Sequence, residues 1–109
     1  MGVPRMTLQT QLVLRTLLEH PDHEMYGLEI CHAAGLAPGT IQPILARLEG
    51  VGWLESRWED VDPHEAARPR RRYYGFAPSG ADKARQALEA ARSRNTSGGP
   101  WLLRPGGAS

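Results

Sequence analysis

The sequence predicts a small, mainly α domain with a short β-hairpin, and three observations predict it. From Pro38 to Leu54 (PGTIQPILARLEGVGWL), residues Ile41, Ile44, Leu45, Leu48 and Val51 fall three and four apart, which buries one stripe of a helix of about four turns. Two further helical segments lie upstream. Downstream, Trp53 to Trp58 (WLESRW) and Tyr73 to Phe76 (YYGF) read as strands on either side of an arginine-rich connection. Helix, short helix, amphipathic helix and hairpin is the order of a winged helix-turn-helix, whose second paired helix enters the major groove of DNA.

Taken in order, residues 1 to 6 are a short leader expected to fray. Thr7 to His20 forms the first helix, stopped by Pro21, and its apolar set of Leu8, Leu12, Val13, Leu14, Leu17 and Leu18 covers more than one stripe. A helix apolar on two sides must be covered on two sides. Its own domain covers one; a second subunit is the natural cover for the other, unless a leucine or two is simply exposed. Pro21 to Met25 is a polar turn, and Tyr26 to Ala34 a short helix ended by Gly35.

The following helix starts at Pro38, whose missing N–H has no partner to lose there, and ends before Gly52, a left-handed cap. Gly39, Gln42, Pro43, Ala46 and Gly50 point away from its apolar stripe. Such a face of small or uncharged residues suits close contact with another surface. Pro43 costs about 3 kcal/mol in a helix interior, but it sits early enough to affect only the first turn.

Glu59 to Arg71 is too long for a tight turn and contains Pro63 and Pro69, which predicts an extended, mobile wing. Its first part (Glu59, Asp60, Asp62, Glu65) is acidic and its second (Arg68, Arg70, Arg71, Arg72) basic. The arginines either grip phosphate or pair internally with the acids. Ser79-Gly80-Ala81-Asp82 reads as a capping box opening a final helix to about Arg94. In it Ala81, Ala84, Leu88 and Ala91 recur on a heptad spacing, a seam that predicts dimer contact together with Leu8, Leu12 and Leu14, or else an ordinary surface helix. The reading is a DNA-binding unit over 1–78, a dimerisation helix over 79–94 and a flexible tail over 95–109 containing Trp101, Leu102 and Leu103.

At 109 residues the chain is near the lower limit for a self-sufficient core, so help from a partner subunit is expected. The net charge of +1 does not announce a nucleic-acid binder, but its distribution matters: residues 1–50 carry −2 and the remainder +3. One cysteine, Cys31, forbids an internal disulfide and fits a reducing cytoplasm. No apolar run approaches the roughly 20 residues of a membrane span, and no signal-peptide pattern opens the chain. The expectation is a soluble, cytoplasmic protein.

Catalytic and metal chemistry find no pattern. His20, His23, Cys31 and His32 lack zinc-motif spacing, with Cys31 and His32 about 100° apart on a helix. Asp60, Asp62, His64 and Glu65 lack the spacing of a calcium loop. No phosphate-cradling glycine loop and no interpretable Ser, His and Asp set is present. Neither a metal nor a cofactor is predicted, and the chain is not read as an enzyme.

The ordered set Tyr26-Gly27, PGTIQPILARLE, Gly52-Trp53-Leu54, Arg68-Pro69-Arg70-Arg71-Arg72-Tyr73-Tyr74 and Pro78-Ser79-Gly80 resembles the PadR family of transcriptional regulators, from about Leu8 to Leu88. Two positions depart from that pattern. Gln42 stands where an aromatic, usually Tyr, is common, and Ala37 where a Ser or Thr cap is common, which weakens the helix start by about 1 kcal/mol. The resemblance implies a homodimeric repressor on a palindromic operator, a Tyr26 hydroxyl on a DNA phosphate and, as often in such regulators, a small aromatic effector near the dimer interface.

The residues then take definite places. Thr40, Gln42 and Pro43 face the bases, with Gln42 suited to a bidentate pair on an adenine edge. Arg68, Arg70, Arg71 and Arg72 hold the adjacent backbone or minor groove, and Arg57 adds a phosphate contact. Arg47 lies at the flank of the buried stripe, within reach of DNA or of a nearby acid. The rival expectations are a winged-helix module that binds protein rather than DNA, and a small-ligand sensor.

Overall fold

The computed structural model describes residues 3–97. In chain order the elements are α1 (Leu8–Leu18), β1 (Met25–Tyr26), α2 (Gly27–Ala34), α3 (Pro38–Gly50), β2 (Leu54–Trp58), α4 (Pro63–Ala66), β3 (Arg72–Phe76) and α5 (Gly80–Ser97). The strands form an antiparallel sheet in the order β1-β3-β2, with Tyr26 opposite Tyr73 and Trp58 opposite Arg72.

One core joins the helices to the sheet. Val13, Leu14 and Leu17 of α1, Ile30 and Cys31 of α2, Ile41, Ile44, Leu45 and Leu48 of α3, and Trp53, Leu54 and Tyr74 are all buried together, with Ala84 and Ala87 of α5 in the same cluster. The α3 stripe therefore faces inward as its periodicity requires. Trp53 N–H bonds the Leu48 carbonyl at 3.0 Å and Gly52 N–H the Glu49 carbonyl at 3.0 Å, with Gly52 at φ +85°. This pair of bonds is a Schellman cap, and it turns the chain directly from α3 into β2. A methyl group on Gly80 would collide with the Trp53 carbonyl, so α5 approaches this corner closely because residue 80 has no side chain.

The structure differs from the sequence-based expectations at several points. The sheet has a third strand: Met25 and Tyr26 pair with Tyr74 and Tyr73, so the expected polar turn ends in a strand two residues long. Nor is the wing extended throughout: it carries the short helix α4. The Asp62 carboxylate accepts from His64 N–H at 2.9 Å to cap α4, and the Arg70 Nε donates to the Val61 carbonyl at 2.9 Å. The described part of the leader, residues 3–6, is packed onto the domain, because Pro4 is buried and the Gln11 amide donates to the Met6 carbonyl at 2.8 Å. Ser79 takes φ +68° rather than the extended conformation of a capping residue, so the expected capping box does not form.

The dimer seam needs the largest correction. Leu14, Ala84 and Ala91 are buried within the single chain and have no surface to offer a partner. The two-sided apolar helix α1 is covered on one side by α2 and α3 and is met by α5 of its own chain, which supplies part of the cover expected from a second subunit. Leu8 stays 66% exposed, while Leu12 and Leu88 are half-buried. Helix α5 continues past the expected end at Arg94, and the rest of the 95–109 tail, with Trp101, Leu102 and Leu103, lies outside the described residues.

Candidate nucleic-acid interface

The solvent side of α3 carries Gly39, Gln42, Pro43, Ala46, Arg47 and Gly50, all exposed, with Thr40 half-buried at its edge. Pro43 has no N–H to give the Gly39 carbonyl, so the first turn keeps an acceptor free of its helical donor. Arg47 is the only charged residue on this exposed face, and no ion-pair partner for it is found among the described residues. The Gln42 amide lies over Gly27 of α2, where an added Cβ would come within 3.3 Å of its Nε2. A Cβ at position 27 would require the Gln42 amide to yield by a few tenths of an ångström.

Beside this helix the arginines form a network rather than a free cationic comb. On one face of the sheet the Arg71 guanidinium lies 4.2 Å from the Tyr26 ring centroid, Tyr26 meets Tyr73 edge-on at 5.6 Å, and Arg57 lies 5.1 Å from the Tyr73 ring. Arg57 also clamps Glu24 through its Nε and Nη2, the shortest bond being 2.7 Å. Glu24 and Glu29 hold this corner together, the second by accepting from the Tyr26 N–H at 3.1 Å. On the other face Arg72 lies 5.0 Å from the Trp58 ring, donates to Ser56 Oγ at 3.0 Å and sits 3.8 Å from Glu49.

Arg68 is tied most firmly. It donates through Nη1 and Nη2 to the two oxygens of Glu59 at 2.7 and 2.9 Å, and the Arg71 N–H adds a bond at 3.1 Å. The Arg68 hydrogen bonds hold the Glu59 carboxyl at about 2, against its partial desolvation. Burial beneath the sheet raises the Tyr74 phenol above its ordinary value.

No protein-family model matches the chain, and no curated protein matches it. Among solved structures it is similar to overoxidized AbfR bound to DNA, at 25% identity over 81% of this chain and 58% of that chain, with a TM-score of 0.61. BpsR of Bordetella bronchiseptica, in which DNA binding is regulated by 6-hydroxynicotinic acid, shares 15% identity over 87% of this chain and 67% of that one, with a TM-score of 0.64. The transcriptional regulator PA4135 shares 19% over 94% and 68%, with a TM-score of 0.61. The fold is a winged helix. The chain spans 58% of the DNA-bound AbfR chain and 67% of BpsR.

In the winged helix, α2 and α3 are the helix-turn-helix, with Gly35 at φ +71° closing the turn, and β2 to β3 is the wing. Of the residues singled out from the sequence, Gln42, Pro43 and Arg47 share the open face of α3, with Thr40 at its margin. Tyr26 and Arg71 lie together, and Arg57, Arg68 and Arg72 are each engaged by a carboxylate. Sequence reasoning missed Glu24 and Glu49, as well as the exposed Trp58, whereas the pairing of Arg68 with Glu59 is the internal alternative the wing's acids offered. The near balance of acids and arginines around the wing was the available signal for the pairing. Among the described residues no cluster of three metal-ligating side chains is present, and no helix is long and apolar enough to cross a membrane.

Proposed function

We propose that this chain is a DNA-binding transcriptional regulator, a homodimeric repressor of the PadR kind whose two α3 helices enter successive major grooves of a palindromic operator about 34 Å apart. The observation that carries this reading is the exposed α3 face: small residues, a glutamine and a lone arginine, with no carboxylate among Gly39, Gln42, Pro43, Ala46, Arg47 and Gly50. Phosphate meets no like charge there, and backbone and base edges approach closely. The likeness to regulators, one of them bound to DNA, supports it.

Within this reading Gln42 takes a base edge, Thr40 and Pro43 line the same groove, and Arg47, Arg70 and Arg71 neutralise phosphates, with the Tyr26 hydroxyl as a further donor. Leu8, Leu12 and Leu88 are the remaining apolar surface for a second subunit. A small aromatic effector has a place in the groove of about 890 Å³ between the leader, Trp53 and α5, lined by Val3, Met6, Val51, Trp53 and Ala90. Binding there favours one arrangement of α5 over another.

One observation favours a second reading, a winged-helix module that binds protein: Arg57, Arg68 and Arg72 already have internal carboxylates. A salt titration of binding to a labelled duplex separates the two. A regulator loses affinity along a steep log–log line, at about −0.9 per phosphate contact, and replacing Arg47, Arg70 and Arg71 by Ala flattens the slope by about three units. Undetectable DNA binding at low salt would reject the regulator.

A further inference from the structure

Trp58 leaves 57% of its surface exposed at the end of β2, whereas Trp53 is buried. It borders a recess of about 510 Å³ lined by Trp58, Pro63, Pro69 and Arg70, with no carboxylate in the lining. The ring is held in place. Arg72 lies 5.0 Å from its centroid and is itself fixed by Ser56 Oγ at 3.0 Å, while Arg70 is fixed at the rim by its bond to the Val61 carbonyl at 2.9 Å. The wall opposite is built from two prolines, one of them in the first turn of α4. Trp58 also lies two residues along the same strand face from Ser56, whose hydroxyl donates to Glu49 of α3 at 2.7 Å. The indole therefore stands on the side of the sheet next to the helix proposed to read DNA.

We infer that Trp58 is an apolar DNA contact, its indole packing against the deoxyribose wall of the minor groove beside the major groove that receives α3. This rests on the regulator reading. Three features point to DNA as the occupant: a preorganised aromatic plane, Arg70 at the rim with no acid in the lining, and a continuous path to α3. Sugar C–H surfaces present the apolar partner, and Arg70 reaches the phosphate on the rim. Because the indole neutralises no phosphate, it adds affinity without adding to the salt dependence.

The test is fluorescence anisotropy with a fluorescein-labelled, mixed-sequence duplex of about three helical turns, comparing the wild type with Trp58→Ala and Trp58→Phe across a salt series. Trp58→Ala is expected to weaken binding about tenfold at every salt concentration with a parallel slope, and Trp58→Phe to restore most of it. Wild-type binding with Trp58→Ala equal to it overturns the inference and leaves the regulator reading intact. A slope shallower by about one unit also overturns it, since the loss then acts through Arg72. A wild type that binds no duplex overturns both. Should Trp58→Ala fold poorly, acrylamide quenching decides: duplex must shield a fluorescence component present in the wild type and absent from Trp58→Phe, and no shielding overturns the contact.

Discussion

Glu24 and Glu59 perform the same act, accepting from an arginine, with different consequences. The Arg57–Glu24 pair is 55% and 41% exposed on its two side chains, so water screens it and it adds little to stability. Its effect is on what Arg57 can reach, since a guanidinium clamped at 2.7 Å must leave a carboxylate before it takes a phosphate. Glu24→Gln is expected to leave the melting temperature nearly unchanged, tighten duplex binding several-fold and steepen the salt slope by about 0.9. Unchanged affinity would mean that Arg57 never touches DNA. Glu59 is 14% exposed on its side chain and accepts from both Arg68 and the Arg71 backbone. Its carboxyl is held at about 2, below its ordinary 4.5, so the folded state binds fewer protons there than the unfolded chain. Stability from this group is complete above 4.5 and is lost as pH falls from 4.5 toward 2. Glu59→Gln removes that contribution, and thermal melts over this window are expected to show a shallower acid decline for the variant than for the wild type.

At the scale of elements, what was legible was whatever repeats. Helix α3 was legible because Ile41, Ile44, Leu45 and Leu48 recur three and four apart over about two turns, and Gly52 marked its cap. Strands β2 and β3 were legible from short apolar and aromatic runs flanking a basic stretch. Strand β1 was not, because two residues cannot display an alternation and Met25–Tyr26 is a strand only through its pairing with Tyr73 and Tyr74. Helix α4 escaped for a similar reason: one turn held by the Asp62 cap and the Arg68–Glu59 clamp depends on contacts that composition does not order. The α5 seam was read with the right periodicity and the wrong neighbour. Ala84 and Ala91 recur at seven residues whether they meet a partner helix or their own core, and spacing alone carries no information about which chain provides the cover. For the candidate site the exposed face of α3 was visible in advance, and so was Glu59 as an internal alternative for the wing arginines, while the partner of Arg57 was not, since Glu24 lies 33 residues away in sequence.

At the scale of the whole molecule, the proposed function depends on the distance between two copies of α3, which one chain alone does not fix. In the proposed dimer each protomer would present one reading helix and one wing, and Arg72 bridges Trp58, Ser56 and Glu49, tying β2 to the end of α3. A helix so tied moves as one body with its domain. Its spacing from the second copy is then set by the subunit contact, for which Leu8 supplies the most exposed apolar surface on α1. A rigid dimer tolerates only half-sites on the same side of the duplex, separated by about 10 base pairs or a multiple. Adding about 5 base pairs between selected half-sites rotates one of them to the far side and is expected to reduce affinity to that of a single half-site, whereas adding about 10 restores same-side geometry and part of the cooperative binding. Leu8→Glu is expected to abolish that periodicity while single-half-site binding persists, because the charge falls on the proposed subunit contact and not on α3. Electrophoretic mobility shifts on the spacer series decide it: equal affinity for all spacers would show that each protomer binds independently.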